Sequence, residues 1–435
     1  MRKEIKTFFK YVIPSILSFA LSGVYAIVDG YFVGNSIGDA GLSAINVAYP
    51  VVALLQAAGT GIGMGGAVYY SISKAERKEE RAMEFMAGSL WLLILSSILL
   101  TAVTYILTTP VLQLLGMEGE LLSLGEEYIR VIAFGAGLQI VGTGLVPFIR
   151  NHGGPFYAMI SMIAGFITNI ILDYLFVWVL AWGMTGAALA TIIGQGITML
   201  SALIFLLRHR LFTLRISFSR LGSAVKSIVK IGIAPFGLTM TPNISLIIIN
   251  RFSIFYGGDK AVATYACIAY IICIVYLILQ GVGDGSQPVI SRYYGEKKIR
   301  QLKEIRKLAY GFGLFLAVVS CVIMFAARDY VGVLFGSSAE VNAEISRIIP
   351  IFLSSVPFVA ICRVTTASFY ATEESVFSYL LTFIEPVLML ILMLILPPML
   401  GGQIMIWWST VIARVLSAVL ALILKNRVDR KKLNA

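Results

Sequence analysis

The sequence predicts an all-α integral membrane protein: twelve transmembrane helices in two pseudo-symmetric six-helix bundles, parallel repeats around a central cavity. Three observations carry that expectation. Of the 435 residues, 58% are hydrophobic and 13% charged, against about a quarter charged in soluble domains. Apolar runs long enough to cross a hydrocarbon core about 30 Å thick, at 1.5 Å per residue, recur along the chain. The two halves also align with each other at a constant offset.

In order, the predicted spans are residues 11–34, 43–72, 86–108, 126–149, 156–181, 185–207, 228–256, 261–290, 308–328, 345–370, 376–396 and 404–424. Lysines and arginines crowd the N-terminus and the loops after the second, sixth and eighth spans. The tail adds Lys425, Arg427, Arg430, Lys431 and Lys432. By the positive-inside rule both termini face the cytoplasm. The net charge of +11 is therefore a topology signal, and no nucleic-acid partner is expected. The first span is too long for a cleavable signal peptide. Cys267, Cys273, Cys321 and Cys362 fall within spans as small packing residues.

When the second half is laid on the first, Gly38 meets Gly258, and the same offset holds far along the chain. Gly61, Gly63 and Gly65 meet Gly281, Gly283 and Gly285; Gly116 meets Gly336; and Glu120 meets Glu340. Six spans per half give both repeats the same orientation, so they are related by an axis along the membrane normal. The expected bundles are 1–215 and 216–435.

Asp29 is the only charged residue between Tyr11 and Gly34, and Asp173 the only one between Phe156 and Trp182. Such an acid costs roughly 2.5–3.5 kcal/mol or more and marks an ion or substrate path. From the span directions, Asp29 lies about 8 Å, Asp173 about 12 Å and Thr191 about 10 Å from the outer ends of their helices. Asn169 precedes Asp173 by one helical turn, and Tyr25 precedes Asp29 likewise. These groups converge in the outer half of one bundle. Together they can carry a proton or, deprotonated, hold sodium through hard oxygen ligands. Against this stands a polar network that merely packs helices. Pro14 permits a kink in the first span.

At these residues the chain resembles the multidrug and toxic compound extrusion (MATE) family over essentially its full length. The resemblance rests on Pro14…Tyr25…Asp29, on Arg150-Asn151-His152-Gly153-Gly154-Pro155, and on Asn169-x-x-x-Asp173 followed by Thr191. It implies export of drugs and organic cations driven by protons or sodium. It also implies an ion site at Asp29, Asn169, Asp173 and Thr191, with Pro14, Tyr25 and Tyr128 in or near it and bending of the first span at the proline. Other members place a cation site on acids of the seventh and tenth spans, where this chain offers Asn243, Asn250 and Arg363.

In the second half, Glu385 is expected to pair with Arg363 or Arg414, while Asp284 either pairs or faces a cavity and attracts cationic cargo. His152 reads as a turn residue. The expected function is a cation-coupled antiporter of amphipathic or cationic compounds, a monomer in a prokaryotic cell membrane with no cofactor beyond the coupling ion. The alternative is a flippase or exporter of a lipid-linked or specific metabolite precursor. No phosphate-binding loop is present, so ATP is not the direct energy source. With only His152 and His209, no enzyme site assembles.

Overall fold

The computed structural model describes residues 2–334 and 337–433; Gly336, the repeat partner of Gly116, lies outside them. Among the described residues there are helices and no strands. The long helices are α1 (Arg2–Ile37), α2 (Asp39–Ala75), α3 (Glu79–Ile106), α4 (Gly119–His152), α5 (Pro155–Asp173), α6 (Gly183–Arg208), α7 (Phe218–Gly258), α8 (Lys260–Gly295) and α9 (Ile299–Ala327). Then come α10 (Ala339–Leu353 joined to Val356–Ala371), α11 (Ser375–Leu400) and α12 (Gln403–Val428). Eleven are long and apolar enough to span a membrane, and α10 is the twelfth when its two limbs, bent by 44°, count as one.

That bend corrects the expectation of an unbroken tenth span. Pro357 stands at the start of the second limb, and the Ser354 and Ser355 hydroxyls bond back to the carbonyls of Ile351 and Phe352 at 2.6 Å. These local bonds compete with the helical ones beside the proline, and the Leu353 carbonyl that Pro357 cannot reach with an N–H accepts from the Cys321 thiol at 3.3 Å.

The backbone carries the internal repeat more plainly than the side chains do. Positive φ occurs at Gly38 and Gly258, Arg77 and Lys297, Gly153 and Glu373, and Ala181 and Gly401. These pairs all share the offset that aligns the two halves. The turns between spans are thus built twice on one plan, although glycine fills the left-handed position in only some of them.

Two compact units result: Leu21–Met240 with Ser291–Lys297, and Met1–Ala20 with Thr241–Ile290 and Lys298–Ala435. The divisions inside α1 and α7, after Ala20 and Met240, fall at equivalent positions of the two repeats. Compared with halves 1–215 and 216–435, each unit takes over the first half-helix of the other repeat. Glycine explains why. Side chains built on Gly281 and Gly285 of α8 would meet the α1 backbone at Ile16 and Val12, at 2.7 and 2.8 Å. On Gly61 and Gly65 of α2 they would meet the α7 carbonyls of Gly232 and Ile228, at 2.9 and 2.2 Å. Small residues let helix backbones approach where lipid supplies no hydrophobic drive. Both first helices carry a proline followed one turn later by a hydroxyl that donates to its carbonyl: Ser18 to Pro14 at 2.8 Å, and Thr239 to Pro235 at 3.1 Å.

A still closer approach joins α2 to α4, where a Cβ on Gly63 would lie 2.1 Å from the Gly144 carbonyl oxygen. Backbone cannot move aside cheaply, and overpacking costs about 1–3 kcal/mol or more. Gly63→Ala is therefore expected to lower the melting temperature in detergent or abolish the folded peak in size-exclusion chromatography. Gly311→Ala, with open space around it, should leave both unchanged.

Candidate functional site

In the unit Leu21–Met240, α5 and α6 cross at a glycine pair. A Cβ on Gly165 would lie 2.7 Å from the Gly194 carbonyl, and one on Gly194 would lie 2.8 Å from the Gly165 carbonyl and 2.9 Å from the Asn169 Cβ. This contact brings Asn169 and Asp173, one and two turns further along α5, against the first half of α6, where Thr191 sits. The start of α6 is held from α4: Glu127 accepts from the Thr185 backbone N–H at 2.9 Å and from its hydroxyl at 2.8 Å. An acid at a helix N-terminus satisfies free N–H groups and favours the dipole.

α1 is fastened to α5 on both sides of Asp29. One turn before it, the Tyr25 ring stacks on Phe166 with centroids 5.2 Å apart and planes at 8°. Beyond it, Phe32 packs edge-on against Tyr174 and Trp178, Tyr31 stacks on Trp178, and the Ser36 hydroxyl donates to the Val177 carbonyl at 2.9 Å. The segment holding these partners, Tyr174–Val179, is a π-helical turn that begins directly after Asp173. Such a turn spends an extra residue in the helix and recurs at functional sites. Its partners in the other repeat, residues 394–399, are ordinary α-helix.

The outcome is a polar cluster with a deficit of partners. Asp29, Asn169, Asp173, Thr191 and Tyr128 are all buried, and Asp173 is fully so. The carboxyl groups of Asp29 and Asp173 lie within reach of each other. Tyr25 and Tyr128 sense both charges, and Tyr128 stands beside Thr191. Yet Asp29 Oδ1, both oxygens of Asp173, both polar atoms of Asn169 and Thr191 Oγ1 are buried with no hydrogen-bond partner. Two carboxylates cannot face each other in a low dielectric without a proton or cation between them. The donor set is carboxyl, amide and hydroxyl oxygen, which suits a proton or a hard monovalent ion such as sodium.

The repeat supplies an internal control. The equivalents of Asp29, Tyr128, Asn169, Asp173 and Thr191 in the second half are Ile249, Ile348, Met389, Met393 and Val411, and all five are buried apolar core. In the second repeat the same scaffold packs without polar groups at these positions.

The remaining sequence candidates lie elsewhere. Pro14 stands fifteen residues before Asp29, about 22 Å along α1, in the other unit. Asp284 is also in that unit, buried, and accepts from Gln280 Nε2 at 2.8 Å and from the Tyr370 hydroxyl at 2.6 Å. Glu385 pairs with Arg414, whose Nε donates to Oε1 at 3.0 Å, and not with Arg363. His152 ends α4 before the left-handed Gly153, with its Nδ1 2.7 Å from the Tyr70 hydroxyl and 3.2 Å from Lys74 Nζ. Sequence reasoning missed Glu127, Phe166 and the Gly165–Gly194 crossing; only the small residue on each helix signalled the last.

Twelve spans built on a duplicated plan, with a partner-poor acid pair in one repeat, define a multi-pass membrane protein of the secondary-transporter class. The MatE family model matches residues 14–175 and again 235–396, so the chain belongs to the MatE family of membrane transporters. It is 24% identical over 417 residues to the multidrug export protein MepA of Staphylococcus saprophyticus, covering 95% of this chain and 92% of that one. Its fold matches a MATE crystallised in complex with MaD3S, with a TM-score of 0.91 at 21% identity over 98% and 96% of the two chains. It also matches a MOP-superfamily transporter of Pyrococcus furiosus, with a TM-score of 0.92 at 22% identity over 99% and 97%. That protein is described as having a binding pocket of reverse polarity that suggests a different function.

Two intramembrane acids in opposite environments should respond oppositely to neutralisation. Asp173→Asn removes a carboxylate that faces another without a donor, and is expected to raise thermal stability by about 1–2 kcal/mol. Glu385→Gln strands the buried Arg414 and is expected to lower it by about 3–5 kcal/mol. Thermal unfolding of the purified variants in one detergent reads both signs.

Proposed function

We propose that this protein is a cation-coupled antiporter that exports amphipathic and cationic organic compounds by alternating access, with Asp29 and Asp173 as the coupling acids. The observation that carries the reading is the buried carboxyl pair, ringed by unpartnered polar atoms of Asn169 and Thr191, at positions the other repeat fills with apolar core. A bound proton or sodium ion neutralises the pair; its loss leaves two like charges in low dielectric, which drives either separation or capture of another cation. Binding of ion and cargo thus become alternatives through one electrostatic term. Asn169 and Thr191 would orient the ion, and Tyr128 would supply a hydroxyl beside Thr191. The relatives named multidrug export protein support the cargo class.

The loops rich in lysine and arginine support a cell-membrane location with both termini in the cytoplasm. Export of a lipid-linked phosphate is less well supported, because Glu385 neutralises Arg414 and leaves few span cations for a phosphate.

In proteoliposomes, efflux of a cationic dye is expected under a pH gradient alone or a sodium gradient alone, whichever ion couples. Asp29→Asn and Asp173→Asn should each lose gradient-driven efflux by about ten-fold or more while still binding dye. Normal efflux by both variants under either gradient would remove the coupling site from this account.

A further inference from the structure

Arg363 and Arg414 lie inside spans of the second repeat, and their surroundings differ. Arg414 is fully provided for: it pairs with Glu385, donates through Nη1 to the Ser355 hydroxyl at 3.1 Å, and lies 5.0 Å over the Tyr276 ring. Arg363, in the second limb of α10, is partly buried. Among the described residues no hydrogen bond or ion pair reaches its guanidinium. A guanidinium carries five donors and cannot deprotonate, so an unpaired one inside a span is an open position for an anion.

The neighbourhood is built for a ligand of that kind. α10 meets α8 where Gly283 lacks a side chain, with the Arg363 carbonyl 3.1 Å from the place a Cβ would take. Helical side chains lean toward the N-terminus of their own helix, which aims Arg363 back along α8 toward Tyr276. The Tyr276 hydroxyl is buried without a hydrogen-bond partner among the described residues. Gln280 Oε1, one turn on, is buried and unpartnered too. The Gln280 amide nitrogen is turned the other way, to Asp284. One strip of α8 therefore holds a free donor at Tyr276 and, one turn on, a free acceptor at Gln280, on the side toward which Arg363 leans.

From this juxtaposition we propose that Arg363 and the Tyr276 hydroxyl bind the acid group of a carboxylate-bearing amphipathic cargo, with Gln280 Oε1 accepting from a donor on the same molecule. The assignment rests on the export reading above and deepens it by naming the subsite that favours cargo carrying a carboxylate. A single arginine with one hydroxyl suits a monoanion; a phosphomonoester carries more charge than these two groups offset, and the phosphatidylglycerol arm below separates a monoanionic lipid phosphodiester from a carboxylate.

The test uses two dyes that differ by one group: rhodamine 110, which bears a free carboxylate, and its methyl ester, rhodamine 123. Fluorescence polarisation measures their affinity for the full chain in phosphatidylcholine nanodiscs. Wild type is expected to prefer the acid by about ten-fold or more. Arg363→Gln should weaken the acid by about ten- to a hundred-fold, the scale of a charge-assisted hydrogen-bonded pair, and leave the ester unchanged. Arg363→Lys should recover part of the loss, and Tyr276→Phe should cost the acid alone several-fold.

Equal binding of the two dyes by wild type, including no binding of either, overturns the proposal, as does a preference that survives Arg363→Gln. So does an Arg363→Gln variant that changes only thermal stabilisation by phosphatidylglycerol, which would give Arg363 to a lipid phosphate. Gradient-driven export of the ester by wild type and Arg363→Gln alike separates failure of this site from failure of the export reading.

Discussion

A hydrocarbon core offers no water to a polar side chain, so each buried charge in this fold must be neutralised by the protein or by something that comes and goes. The two repeats meet that constraint in opposite ways. Where the first repeat crosses α5 and α6 at Gly165 and Gly194, the second places Glu385 and Arg414 at the equivalent positions and joins them as an ion pair at 3.0 Å. The charge there is closed within the protein. In the first repeat the crossing carries no charge. The acids sit further along, at Asp29 and Asp173, and among the described residues no hydrogen-bond donor reaches Asp29 Oδ1 or either Asp173 oxygen. An open charge in the membrane interior is a place for an exchangeable ion.

The surrounding elements hold that open charge in place. The glycine contact brings α5 and α6 together, Glu127 pins the start of α6, and the aromatic rows tie α1 to α5 around Asp29. Each fastening uses packing or a local hydrogen bond and leaves the carboxyl groups untouched. The π-helical turn after Asp173 is a backbone feature that the second repeat lacks at the equivalent residues. A site assembled this way is fastened at its edges and unsatisfied in its centre, as the proposed coupling through a bound ion requires.

Much of this was legible in the sequence, and for identifiable reasons. Hydropathy and the constant offset between the halves gave the spans and the duplication because both follow from composition over long windows. The isolation of Asp29 and Asp173 in apolar runs pointed to the candidate site because charge in such runs is rare. Other features depend on contacts between distant segments. Glu385 had two arginines at plausible depth, and only packing chose Arg414 over Arg363. The break in α10 turned on serine hydroxyls competing with the helix beside Pro357, a balance that a window of mean hydropathy averages away. The exchange of first half-helices between units came from glycine stripes on α2 and α8 whose partners could not be read from one helix alone.

The central question is whether the carboxyl pair holds an ion that cargo displaces. Purified protein in weakly buffered detergent solution, with a pH indicator and a sodium electrode, can be titrated with a cationic dye while released ions are counted. The account predicts release of about one proton or one sodium ion per dye bound, and loss of that release in Asp173→Asn while the dye still binds. Dye binding with no ion release in wild type, or undiminished release in Asp173→Asn, would contradict it.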